Sequence, residues 1–84
     1  MSHLCPVCGY DGLTEPPYDR EGNPSYEICS CCGFEFGYDD QSQGETFSGY
    51  RKKWLAAGAK WFDPAQKPEN WSLKAQLRRI GVLP

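Results

Sequence analysis

The first half of the chain has few aliphatic side chains. Residues 1–40 of the 84 contain only four (Leu4, Val7, Leu13 and Ile28). A short segment this poor in aliphatics cannot stabilise itself by core burial alone, so a metal ion or disulfide bonds are expected to stabilise it. No apolar run approaches the ~18 residues of a membrane span. No basic-then-apolar leader precedes the first cysteine. We therefore expect no membrane association and a cytoplasmic location.

The chain also lacks the parts of an active site. It has one histidine, His3, and neither a G-x-S-x-G turn nor a glycine-rich phosphate loop. No nucleophile can therefore be matched to a general base. We predict that the protein is not an enzyme.

Residues 1–40 are instead rich in cysteine and contain all five cysteines of the chain. The pattern C-x-x-C-G-aromatic occurs twice, over residues 5–10 and 29–34, with twenty residues between Cys8 and Cys29. Two such turns, here called the first and second knuckle, present two soft ligands each to one tetrahedral ion. The glycine after each pair should adopt positive φ and point its amide toward a sulfur. We predict one structural Zn²⁺ bound by Cys5, Cys8, Cys29 and Cys32.

The fifth cysteine, Cys31, lies opposite the spacer Val7 when the knuckles are aligned through their glycines. It is predicted to be a small, half-buried side chain; a substitute ligand and a reactive thiol stay open as alternatives. An odd number of cysteines and the absence of a leader argue against a disulfide framework. Iron is the alternative metal, because four thiolates also hold the iron of an electron carrier.

Residues 41–84 have a helical pattern instead. Phe47, Tyr50, Trp54 and Leu55 recur on one helical face, predicting a helix from near Glu45. Gly58 either closes this helix or lies within it, since the pair at residues 61–62 would continue the apolar face. The Asp-Pro step at 63–64 would be a clear stop.

A second helix should start near Asn70 or Ser72, either of which can cap it. Its apolar stripe is formed by Leu73, Leu77 and Ile80, and Gly81 suits its C-terminal turn.

The predicted fold class is therefore a small metal-bound α+β protein. Residues 1–40 would form a zinc ribbon, with each knuckle on a short antiparallel hairpin. Residues 41–84 would form a helical hairpin packed on the ribbon as a single compact unit. The packing surface would be the aromatic face of the helical half: Phe47, Tyr50, Trp54, Trp61, Phe62 and Trp71.

Charge divides the chain in the same way. Residues 1–47 carry nine acidic side chains against one basic, a net −8, and residues 48–84 carry eight basic against two acidic, a net +6. Such a division suits a protein-interaction module with an acidic docking face, including Glu35, Asp39 and Asp40. One specific version is an immunity or antitoxin-type protein that neutralises a basic partner.

Nucleic-acid binding through the basic half is the alternative function. Trp54 and Trp61 would be available there for stacking on bases. The predicted phosphate contacts are Arg51, Lys52, Lys53 and Lys60.

Two resemblances accompany these motifs. The stretch CPVCGYDG resembles the first knuckle of rubredoxins, which implies iron and electron transfer. Residues 4–40, with CPVCGYDGL and YEICSCCGFEFGYDD, resemble the small bacterial cysteine-rich CPCC family. That resemblance implies metal binding in a bacterial cytosol and no settled activity. The chain departs from the family pattern at Val7, at Cys31 and in the stretch before Asp39.

Overall fold

The computed structural model of the chain describes residues 2–82. Its regular elements are helix α1 over Phe47–Ala56, a 3-10 helix over Pro64–Gln66 and helix α2 over Leu73–Arg78. Across the described N-terminal half the backbone pairs only at isolated antiparallel bridges, and none extends into a strand.

The predicted hairpins are therefore not confirmed. A single antiparallel bridge flanks each knuckle, His3 with Leu13 at the first and Ile28 with Glu35 at the second. The second pairing is interrupted upstream by Tyr26, whose φ of 58° is incompatible with a strand. Pro24 beyond it has no N–H to donate to a ladder.

Helix α1 begins two residues later than the predicted start. The hydroxyl of Thr46 accepts a hydrogen bond from the amide of Gly49 at 2.9 Å and caps the helix. Glu45, just before this cap, forms an ion pair with Lys53 at 2.8 Å. The predicted helical face turns inward: Trp54 is buried in the core.

The chain leaves α1 through two consecutive left-handed residues, Gly58 and Ala59, with φ of 101° and 52°. The helical period is lost there, so the next two aromatic residues point to opposite sides. Trp61 is buried, whereas Phe62 is 62 % exposed. The prediction that Phe62 belongs to the packed aromatic face is wrong for this reason.

Helix α2 starts as predicted but ends at Arg78, so Ile80 and Gly81 lie in the turn beyond it. Ser72 caps it by accepting a hydrogen bond from the amide of Ala75. Gly81, with φ of 74°, donates to the carbonyl of Arg78 and closes the C-terminal turn.

The two helices do not form the predicted helical hairpin. They make no close backbone contact with each other. Each instead inserts a side chain into one shared core, Trp54 from α1 and Leu77 from α2. The knuckles lie between them, so the metal-binding segment is the centre of the fold.

Aromatic rings join the helical half to this centre. Phe34 and Phe36, which follow the second knuckle, are fully buried with ring centroids 5.2 Å apart. Phe34 also makes edge-to-face contacts with Phe47 at 5.4 Å and Tyr50 at 4.9 Å. The predicted packing of α1 on the region after the second knuckle is thus present.

Candidate metal centre

The two knuckles have the same turn, closed by the same two backbone hydrogen bonds. In the first, the amide of Cys5 donates to the carbonyl of Tyr10 at 2.8 Å and Gly9 donates back to Cys5, also at 2.8 Å. In the second, Cys29 donates to the carbonyl of Phe34 at 3.0 Å and Gly33 donates to Cys29 at 2.9 Å. The repeated sequence pattern therefore produces a repeated turn.

The glycines of the knuckles adopt the predicted positive φ, 85° at Gly9 and 82° at Gly33. Their amides do not reach a sulfur, contrary to expectation. Each closes the turn instead, by donating to the carbonyl oxygen of the first cysteine of its own knuckle.

The turns bring together the four cysteines predicted as ligands. The sulfurs of Cys5, Cys8, Cys29 and Cys32 all lie within 4.8 Å of one another. The Cys5–Cys32 sulfur distance is 3.9 Å and the Cys8–Cys29 distance is 3.6 Å. Four sulfurs bonded at about 2.3 Å to a tetrahedral ion lie about 3.8 Å apart, so the cluster fits one ion. The spacing is too long for disulfide bonds, and all five cysteines are free.

The four side chains are buried, with Cys32 the most exposed at 6 %. Hydrogen bonds from Cys32 and Cys5 lower the pKa of the Cys29 thiol. Hydrogen bonding to Cys29 raises the pKa of Cys8 and of Cys32. Burial, together with the nearby charge of Cys32, raises the pKa of Tyr50 to about 12. A bound cation would stabilise the thiolate form of all four cysteines.

Cys31 lies outside this cluster and is fully buried rather than half-buried. Its sulfur accepts a hydrogen bond from the side-chain amide of Gln76 at 3.3 Å. The structure therefore separates the fifth cysteine from the other four, as the alignment through the glycines predicts.

Side chains of the helical half cover the first knuckle. Arg51 of α1 donates to the carbonyl of Val7 at 2.9 Å. Gln76 of α2 donates to the carbonyl of Cys8 at 3.0 Å, and Arg79 donates to that of Gly9 at 3.2 Å.

Backbone amides mostly cover the second knuckle. Phe62 donates to the carbonyl of Cys31 at 2.9 Å, and Asp63 donates to that of Ser30 at 2.8 Å. The one side-chain donor is the Tyr50 hydroxyl, 3.2 Å from the carbonyl of Cys32.

Gln76 is the important residue that sequence reasoning missed. It is a buried polar side chain, 3 % exposed. Besides its bonds to Cys8 and Cys31, it accepts a hydrogen bond from the indole of Trp71 at 2.7 Å. Its only signal in the sequence is its place just before Leu77 on the α2 face that packs inward.

The predicted docking carboxylates have roles inside their own turn. Asp39 accepts a hydrogen bond from the amide of Glu35 at 2.8 Å. Asp40 accepts from the amides of Gly37 at 2.8 Å and Gln41 at 2.9 Å. Both aspartates are half-buried, so they are not the freely exposed charges that we expected.

The predicted nucleic-acid contacts are not arranged as one free patch. Arg51 is bonded to the first knuckle and Lys53 to Glu45, while Lys52 and Lys60 are exposed. Trp54 and Trp61, the expected stacking residues, are both buried, at 7 % and 9 % exposure. Both tryptophans thus belong to the packed aromatic face, as the main prediction has it, and are not available to stack on bases.

The centre and its covering define a small cysteine-rich protein with four cysteines arranged to hold one metal ion. No helix in the described range is both long enough and apolar enough to cross a bilayer.

The chain belongs to the family of two uncharacterised Bacillus subtilis proteins, YoaQ and YozI. It is 37 % identical to YoaQ in an alignment of 82 positions that covers 81 % of this chain and 70 % of YoaQ. It is 34 % identical to YozI in an alignment of 83 positions that covers 81 % of this chain and 69 % of YozI. No family model matches the chain, so membership of the CPCC family is not confirmed. No solved structure matches it.

Proposed function

We propose that the protein is a non-enzymatic zinc protein that acts as a protein-interaction module. The observation that carries this proposal is the closure of the metal centre. Four cysteine sulfurs converge in the core, and the helical half covers both knuckles. Four protein ligands leave a tetrahedral ion no open position for a substrate, so the ion has a structural role.

Zinc suits such a centre better than iron. It binds four thiolates tetrahedrally and has no redox chemistry that would need access to a partner. The site also contributes folding energy where the aliphatic core is small, since structural zinc supplies on the order of 10–16 kcal/mol in small fingers.

The proposed interaction surface is formed by Tyr26, Ile28 and Tyr38, here called the tyrosine surface. Their exposures are 59 %, 42 % and 47 %. Tyr26 lies against Gly37, the residue before Tyr38: a Cβ added to Gly37 would be 2.8 Å from the Tyr26 ring. Exposed aromatic side chains such as these tyrosines are typical of the centre of a protein–protein contact.

Tyr26 is also held in an unfavourable backbone conformation. Its φ of 58° is an outlier for a bulky residue, although its amide is bonded to the carbonyl of Phe36. Strain of this kind persists where the surrounding structure imposes it and is concentrated at functional sites. It supports a role for the ring of Tyr26 outside the core.

The charge around the tyrosine surface indicates the kind of partner. The N-terminal half that contains it has a net charge of −8. A partner with basic side chains around an apolar contact would associate faster through this charge. Neutralisation of a basic toxin by an immunity or antitoxin-type protein is one specific form of this proposal.

Native mass spectrometry of freshly purified protein tests the metal. We expect one zinc per chain, and a strong chelator should unfold residues 2–40 as seen in their amide resonances. A red iron-containing protein, two ions per chain, or a metal-free chain that stays folded would each contradict the proposal.

Affinity capture from the native host tests the interaction. The bait would be compared with the double variant Tyr26→Asn, Tyr38→Ser, because asparagine tolerates positive φ. Phe62→Ser is the matched control, an exposed aromatic on the other half of the chain. We expect a protein that binds the unaltered chain and the control, fails to bind the double variant, and associates more slowly as salt is raised. An identical set of captured proteins for all three baits would exclude the tyrosine surface, and an RNA-dependent set would favour nucleic-acid binding.

A further inference from the structure

A cleft of about 400 Å³ opens beside the C-terminal end of α1, and none of the residues that line it belongs to the tyrosine surface. It lies among the residues that link α1 to α2, and Trp61 and Trp71 form its aromatic walls. The two rings meet edge to face, with centroids 5.5 Å apart. Its volume lies within the range of about 300–1,000 Å³ that is typical of small-molecule sites.

The charge of the cleft is of one sign. Lys60 and Lys67 line it, and no acidic side chain does so in the described part of the chain. The ammonium group of Lys67 lies 5.2 Å from the centroid of the Trp71 ring. The Lys67 ammonium group therefore covers the face of the Trp71 ring on which a flat ligand would stack.

The backbone that lines the cleft is strained at a buried residue. Ala59 has a φ of 52° and directly follows Gly58, which is also left-handed. Alanine gains nothing intrinsic from this conformation. The left-handed turn at residues 58–59 nonetheless places Lys60 and Trp61 in the walls of the cleft. Strained backbone of this kind is concentrated at functional sites.

We propose that this cleft binds a small organic anion that contains a flat aromatic ring. The ring stacks on Trp71, and Lys60 and Lys67 hold the negative charge. Binding exchanges one contact for another, because the Lys67 ammonium leaves the Trp71 face to the ligand ring and pairs with the ligand anion. Tight binding requires both the ring and the charge of the ligand, since Trp71 recognises only the ring and the two lysines recognise only the charge.

The test is a titration of the full-length, metal-loaded protein followed in proton–nitrogen correlation spectra. The two ring-containing anions are adenosine 5′-monophosphate and indole-3-acetate, which separate a nucleotide from an aromatic carboxylate. Adenosine supplies the ring without the charge, and inorganic phosphate the charge without the ring. We expect one ring-containing anion to shift the Trp61 and Trp71 indole signals with a Kd below about 1 mM. Adenosine and phosphate should each bind at least about tenfold more weakly.

Matched lysine variants place the site. Lys67 is exposed, so Lys67→Gln should fold normally and weaken binding by about fivefold or more. Lys74→Gln removes the same charge from an exposed position on α2 outside the cleft and should leave the affinity unchanged. The proposal is overturned if neither ring-containing anion shifts the indole signals at millimolar concentration, if phosphate alone binds as tightly, or if the two variants behave alike.

Discussion

The two knuckles have the same turn but different coverings, and the difference is instructive. Three carbonyls of each turn accept hydrogen bonds from the C-terminal half. At the first knuckle all three donors are side chains, from Arg51, Gln76 and Arg79. At the second knuckle two of the three are backbone amides, from Phe62 and Asp63.

This difference decides which knuckle depends on particular side chains of the C-terminal half and which depends only on the path of its backbone. A backbone donor survives any substitution except proline, so the second knuckle depends on the path of the chain through residues 61–63. A side-chain donor is lost by a single substitution. The first knuckle is therefore the one whose docking the sequence of the helices specifies directly.

The largest effect should come from the ligands, where the two knuckles are equivalent. Cys8→Ser and Cys32→Ser should each lose the metal and unfold the N-terminal half, because a missing ligand removes most of the folding energy that the ion supplies. Cys31→Ser is the matched control and should keep one metal per chain, at a cost of about 1–2 kcal/mol for a buried thiol bonded to Gln76. Metal analysis and circular dichroism give the result. A Cys31 variant that loses the ion while the Cys32 variant keeps it would refute the assigned ligand set.

The next effect should distinguish the knuckles through their glycines. A Cβ at Gly9 would lie 2.1 Å from the backbone oxygen of Gln76, whereas one at Gly33 would lie 3.0 Å from the ring of the exposed Phe62. Both substitutions to alanine carry the cost of positive φ, about 1–2 kcal/mol. Only Gly9→Ala also forces helix α2 away, so we expect about 3 kcal/mol or more in total.

Denaturant unfolding of both metal-loaded variants at the same free metal concentration measures this difference. Equal losses of stability would show that α2 moves away from the first knuckle as easily as Phe62 moves away from the second.

A smaller effect should follow from removing side-chain donors. Gln76→Ala removes hydrogen bonds to Cys8, Cys31 and Trp71 and leaves buried groups unpaired, so we expect a loss of about 2–4 kcal/mol. Tyr50→Phe removes one bond from the second knuckle and should cost about 1 kcal/mol.

Gln66→Ala, at an exposed position of the 3-10 helix, is the control and should leave the unfolding free energy unchanged. If Tyr50→Phe proves as costly as Gln76→Ala, the two coverings do not differ in the way the hydrogen bonds suggest.

The local features of this fold were predictable from the sequence. Aligning the two knuckles through their glycines separates Cys31 from the four clustered cysteines. This works because the turn alone decides which cysteine side chains point toward the metal site. The cap at Ser72 and the closing glycine at Gly81 were predictable for the same reason. Each of these depends on residues within one turn of the chain.

Features that depend on distant contacts were not predictable. Phe62 is exposed because a left-handed pair at residues 58–59 breaks the helical period, and Ala59 gives no sign of that conformation. The burial of Gln76 depends on a carbonyl 68 residues earlier in the chain, that of Cys8. The second hairpin is reduced to a single bridge because Tyr26 leaves the extended conformation, although tyrosine ordinarily favours strands.

The smallest expected effect concerns the acidic residues that follow the knuckles, and it bears on the docking face. Asp11, after the first knuckle, is 62 % exposed and forms an ion pair with Arg79 at 3.4 Å. Asp40, after the second, accepts two backbone hydrogen bonds inside its turn. We expect Asp40→Ala to cost about 1–2 kcal/mol, since bonds to a charged acceptor are strong, and Asp11→Ala to cost about 0–0.5 kcal/mol. The unfolding free energies of the two variants measure this difference. If Asp40→Ala is as harmless as Asp11→Ala, its carboxylate is not needed by the fold. Asp40 would then be a charge available to a basic partner, as the predicted acidic docking face requires.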